Sequence, residues 1–135
     1  MSETEVPETE ISSADAASVV RTAFREIFSG NEAPFGEHPG LHALRVAFPP
    51  MLRAFPDFSA ELIQQIADGD RVASHWIFRG THRGELYGIP PTAKSVEFQN
   101  LSICHVADGR ILQYNSEIGW MTLLRQIGVW PPTRS

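Results

Sequence analysis

Near the end of the chain three polar side chains recur at every second position: Gln113, Asn115 and Glu117. In an extended strand this spacing puts all three on one face, with Leu112, Tyr114, Ser116 and Ile118 on the other. A carboxyl such as Glu117, once buried, has its pKa raised and works as a proton donor or acceptor near neutral pH. On an outward face the same triplet is a wetted sheet surface, and a carboxylate before the final helix is stabilised there by the helix dipole. The histidines widen the choice. His75 adjoins Trp76 in a strand-like segment, so one of the two faces inward and lines whatever space lies there. His105 precedes the turn at Ala107-Asp108-Gly109, while His82 follows Gly80-Thr81 and suits a role in satisfying loop backbone. His38 and His42 read as solvent-side or capping residues.

Other chemistries find little support. No HExxH, HxH or CxxC spacing gathers ligands for a metal, and Cys104 is the single cysteine. Gly80, Gly84 and Gly88 are spaced four apart but no helical pattern follows them, so they do not form a phosphate-binding turn. No serine or cysteine stands in a nucleophile elbow. Aromatic residues are plentiful instead. Trp76, Phe78, Tyr87, Phe98 and Trp120 offer planar contacts for a flat polycyclic ligand, and they are equally good core filler.

These residues need elements to position them. Ser12-x-x-Asp15 is a helix start, and Val19, Val20, Ala23, Phe24, Ile27 and Phe28 form one apolar stripe that ends at Ser29-Gly30. Pro39-Gly40 opens a second helical pattern through Leu41, Leu44 and Phe48, which Pro49-Pro50 interrupts before Met51, Leu52 and Phe55. From Phe58 the period becomes two. Phe58, Ala60, Leu62 and Ile66 define a first strand, Asp68-Gly69-Asp70 a turn, and 72–82, 95–106 and 111–118 three more strands, with Asp108-Gly109 between the last two. Met121, Leu123, Leu124 and Ile127 close the chain as a short helix stopped by Gly128. Helices followed by an antiparallel meander predict an α+β domain with the helices on one face of the sheet.

At 135 residues and 42% hydrophobic content, the chain is expected to form one domain over 13–135 after a disordered acidic tail over 1–12. Glu3, Glu5, Glu8 and Glu10 carry most of the formal charge of −5, which leaves no basic face for nucleic acid. No apolar run approaches the roughly 18 residues of a membrane span, the front is too acidic for a signal peptide, and a cytoplasmic location is expected.

Taken in order, Trp76-x-Phe78-x-Gly80-Thr81-His82-x-Gly84, Gly88-Ile89-Pro90-Pro91-Thr92, Val96-Glu97-Phe98, Asp108-Gly109-Arg110-Ile111 and Leu123-Leu124-Arg125-Gln126-Ile127-Gly128 resemble the SnoaL-like family of polyketide cyclases. The resemblance runs over about residues 38–130. It implies the cone-shaped α+β barrel of the nuclear transport factor two superfamily, a curved antiparallel sheet wrapped around N-terminal helices. It also implies a cofactor- and metal-independent enzyme of aromatic polyketide or related natural-product biosynthesis, which cyclises or isomerises a polycyclic substrate by acid/base chemistry in a closed hydrophobic pocket. Homodimers or larger homo-oligomers, built through the outer sheet face, go with it.

The chain departs from the family where the chemistry is done. Aligned on Gly109 and Gly128, the family's acid/base aspartate falls at Gly119 and its pocket tryptophan at Asn115. Glu117, two residues earlier, is the carboxyl that replaces the aspartate on this reading, with His105 near the family's pocket histidine. Catalytic roles thus fall to Glu117, His105 and Asn115, and substrate binding to His75, Trp76, Tyr87 and Trp120. Two alternatives follow from the missing aspartate: a cofactor-free hydroxylase of a polyketide quinol, with His105, His75 and Asn115 bonded to a phenolate, and a non-catalytic carrier of a hydrophobic metabolite.

Overall fold

A computed structural model of the chain describes residues 12–131. Most of the expected acidic tail lies outside this range. The first helix, α1, spans Ser13–Phe28, and the Ser12 side chain accepts the Asp15 N–H at 3.1 Å, a cap worth about 1 kcal/mol. Its stripe of Ala16, Val20, Ala23, Phe24 and Ile27 is buried. Four short helical pieces follow: α2 (Ala33–Glu37), a 3₁₀ turn (Pro39–Leu41), α3 (Leu44–Ala47) and α4 (Pro49–Ala54). The sequence pattern foresees the break at Pro49 but not α2, which is too short to show a periodicity.

Four strands, β1 (Ser59–Asp68), β2 (Arg71–Thr81), β3 (Ser95–Ala107) and β4 (Arg110–Ile118), form one antiparallel sheet in chain order, and α5 (Trp120–Gln126) ends the chain. The helices pack on the concave face of the sheet, α1 most closely against β1 and least against β4. Its position over β1 is pinned by Gln65, which accepts Arg21 Nη1–H at 2.9 Å and donates to Ala17 O and Ser74 Oγ. Two bulges set which residues face the helices. Ile63 is the extra residue opposite β2, so Leu62 and Gln65 turn inward while Ile66 turns out and is 64% exposed; the simple alternation expected through Ile66 fails for this reason. In β4 the extra residue is Leu112, so Ile111 joins the core in its place.

Aromatic rings fill the concave side. Phe28 lies 4.9–5.8 Å, centroid to centroid, from Phe24, Phe48, Phe58, Trp76 and Phe78. Each such pair contributes about 0.5–1.5 kcal/mol beyond its buried area. The interior expected to be a closed cavity is therefore packed at this depth.

Two histidines hold backbone that has no ladder partner. His38 Nδ1 accepts the Ile111 N–H at 3.0 Å and so fastens the 3₁₀ turn to the edge strand, where Gly40 lies so close to the Leu112–Gln113 backbone that a Cβ would collide. It is not the solvent-side residue that its neighbours suggest. His82 is fully buried, accepts the Thr92 N–H at Nδ1, and packs against Phe55. Burial lowers the pKa of both; Glu37 and Glu26 oppose this at His38, with Arg110 adding to it, and the Gly84 backbone opposes it at His82. A depressed folded-state pKa means that the unfolded chain binds the proton more tightly. The stability from these neutral imidazoles is complete above the ordinary value of about 6.5 and is lost as pH falls through the lower folded values. The melting temperature is thus expected to drop from pH 7.5 to pH 5, and to drop less in His38→Asn, whose side-chain oxygen can still accept the Ile111 N–H. An unchanged slope in this variant would contradict the assignment.

Candidate functional site

The strand register places three serines in one row across the concave face, Ser74 beside Ser102 and Ser102 beside Ser116. The adjacent rows are Trp76, Asn100 and Ile118 on one side, and Val72, Cys104 and Tyr114 on the other. Small hydroxyls and an amide thus sit among large apolar groups, under α1. Asn100, Ser74 and Ser102 are buried, Tyr114 is partly buried and Ser116 is exposed. The concave face therefore opens near Ser116 toward the end of β4, since α1 covers that strand least and the 3₁₀ turn packs on its first residues.

Tyr114 lies in that opening. Its ring packs on Phe24 at 5.2 Å. Burial raises the phenol pKa, the neighbouring Ser116 and Asn100 offset this only in part, and the group stays protonated at neutral pH. Cys104, buried two strands' width from β1, has its thiol pushed up to about 12 by the same cause and is no nucleophile. No strand position facing the helices carries Asp or Glu.

The residues singled out from the sequence fall in three places. Glu117, Asn115 and His75 come together, but on the convex face, because Glu117 pairs with Leu101, Leu101 with His75, and Asn115 with Ile103. They line a groove of about 510 Å³ with Gln64, Ile66, Leu101 and Ile103, and the His75 Nε2 is enclosed there without a partner among the described residues. His105 is on the same face, where its Nε2 lies 2.9 Å from Asp70 Oδ2. Glu117 therefore does not share a face with Trp76, because one side chain in two points each way along a regular strand. Trp76 faces the helices and is buried. Tyr87 and Trp120 form a third group: their rings meet edge to face at 5.9 Å, and the Tyr87 hydroxyl donates to Ala47 O at the end of α3. Tyr87 holds this place with a left-handed backbone, φ 47°.

Tyr114, Asn100 and the serine row escape the sequence reading. In β3 the apolar Leu101 and Ile103 point outward while Asn100 and Ser102 point inward, an inversion of the usual pattern that composition cannot reveal. At Gly119, which precedes α5, a Cβ would meet the Gln99 backbone at an ordinary 3.5 Å, so a side chain fits there and the glycine is not a steric requirement.

The family model for SnoaL-like polyketide cyclases matches residues 9–127. Among solved structures, AclR of Streptomyces galilaeus, described as a candidate hydroxylase, superposes with a TM-score of 0.80 at 21% identity over 92% of this chain and 87% of its own. IdmH of Streptomyces antibioticus, a candidate polyketide cyclase, gives 0.71 at 25% identity over 84% and 99%. A candidate SnoaL-like polyketide cyclase of Jannaschia gives 0.75 at 15% identity over 94% and 98%. No curated protein matches the chain in sequence. Since the matched segment includes every helix and strand from α1 to α5, the chain belongs to the SnoaL-like polyketide cyclase family.

Proposed function

We propose that this protein is an enzyme of aromatic polyketide or related natural-product biosynthesis that cyclises or isomerises a flat polycyclic substrate on the concave face of its sheet, without metal or organic cofactor. The observation that carries this reading is the end of the concave face near Ser116, where a serine hydroxyl is open beside the protonated phenol of Tyr114 and the ring of Phe24. Such a surface stacks a planar ligand and leaves a few polar groups to orient its oxygens. Trp76 lies beneath this surface, with Tyr87 and Trp120 as a planar pair between α3 and α5. Glu117, Asn115, His75 and His105 are on the far side of the sheet and do not reach such a ligand.

The hydroxylase reading has an observation of its own. Neither the concave strand positions nor Gly119 supplies the carboxyl that an aldol closure uses as its acid. An electron-rich quinol that reacts with oxygen itself needs only stabilisation of its developing negative charge, which hydroxyl and amide donors provide. A carrier needs neither. Incubation of the purified protein with tricyclic and tetracyclic polyketide esters and quinols, in air and under nitrogen, followed by mass spectrometry, separates these. The proposal expects a product of unchanged mass in both atmospheres; a gain of one oxygen in air alone transfers it to the hydroxylase, and bound but unaltered ligand to the carrier.

The convex groove is assigned to a second copy of the chain in a cytoplasmic homo-oligomer. Leu101 and Ile103, 51% and 57% exposed, form an apolar centre, and the surrounding charges are mixed, with Arg79 bonded to Glu61 and Glu97. A balanced face of this kind is able to pair with itself. Sedimentation is expected to show a dimer or larger species in the parent chain and a monomer in Ile103→Asp; a monomeric parent chain would overturn it.

A further inference from the structure

β4 is the last strand of an open sheet, so its outer edge has no strand beside it among the described residues. The chain covers the first residues of that edge with the 3₁₀ turn at Pro39–Leu41 instead. Three contacts fix the turn. Leu41 is fully buried, Gly40 sits on the Leu112–Gln113 backbone with no room for a Cβ, and His38, just before the turn, receives the Ile111 N–H at Nδ1 over 3.0 Å. Of the three, the imidazole bond is the one that a proton abolishes, because an imidazolium carries hydrogen on both ring nitrogens and has no lone pair left to accept. The Ile111 amide, which has no ladder partner, would then face a second donor.

We propose that the turn is an acid-released latch: protonation of His38 breaks its bond to Ile111 and frees the 3₁₀ turn to swing off the edge of β4 while the rest of the sheet stays folded. Burial, the largest influence on the ring, keeps it neutral and the latch closed at neutral pH. Surrounding charges set the pH of release. Glu37 in α2 and Glu26 in α1 favour the protonated ring, Arg110 at the start of β4 opposes it, and Arg45 of α3 lies against Gly36, two residues before His38. The closed form binds the proton less tightly than the open one, so opening takes up a proton and is favoured as pH falls. Leu41 leaves the core when the turn opens, and its burial recloses the latch once the pH is restored. The device holds whether or not the concave face is the substrate site.

Amide hydrogen exchange followed by NMR between pH 7.5 and pH 5, corrected for the intrinsic rate, reads the latch at Ile111. Its protection is expected to be lost with falling pH ahead of that of Trp76, whose place in β2 between two strands reports unfolding of the whole sheet. In His38→Asn, whose side-chain oxygen accepts but does not titrate, Ile111 keeps its protection down to the pH at which Trp76 loses its own. Arg110→Gln and Glu37→Gln, both at exposed positions, supply the readout if His38→Asn does not fold: release moves to higher pH in the first and to lower pH in the second. Simultaneous loss at Ile111 and Trp76 would mean global unfolding and overturn the latch. So would an Ile111 protection that ignores pH, or a release pH unmoved in both charge variants.

Discussion

The whole arrangement depends on residue parity between two β-bulges. A sheet in which each strand sends alternate side chains to opposite faces has no means of moving a residue across except by inserting one. Ile63 and Leu112 are these insertions, and between them the pairing of β1 to β4 runs without interruption. The uninterrupted stretch brings Ser74, Ser102 and Ser116 into one row and sets Tyr114 and Asn100 beside it. The same parity carries His75, Leu101 and Glu117 to the other side. A single further insertion at the start of β4 would exchange that strand's members of the two sets, Tyr114 and Ser116 for Asn115 and Glu117.

Aromatic packing then decides how much of the concave face a ligand can use. Phe28, at the end of α1, touches the rings of Phe48 between α3 and α4, Phe58 just before β1, and Trp76 and Phe78 in β2, and closes the β1–β2 half. Over β4 the His38-bound 3₁₀ turn packs on the first residues and α1 reaches the strand least, which leaves Ser116 near its end exposed. Buried apolar bulk thus stabilises one end of the cone and leaves the other accessible.

The fold was well legible in the sequence. The stripe of α1, its Ser12 cap, the Gly69 and Asp108-Gly109 turns and four strands are all local signals, and they match the structure within a residue or two. The site was less so. Glu117, Asn115 and Gln113 do share one face as their spacing requires, but which face is a tertiary matter, settled by what packs where. An alternating strand normally hides its apolar set; β3 hides Asn100 and Ser102 and exposes Leu101 and Ile103, and so gives the opposite impression. Tyr114 was grouped with the apolar row for the same reason. His38 has no local signature at all, because its partner, Ile111, is seventy-three residues away.

The central claim is that ligands meet this protein on the helix-facing side of the sheet, over β4. Backbone amide NMR during titration with 9-fluorenone tests it most directly, because neighbouring residues of one strand report opposite faces. Selective shifts at Ser102, Tyr114, Ser116 and Phe24 are the predicted result. Shifts centred on Ile66, Leu101 and Ile103, with the concave residues unmoved, would contradict it and place the site in the convex groove.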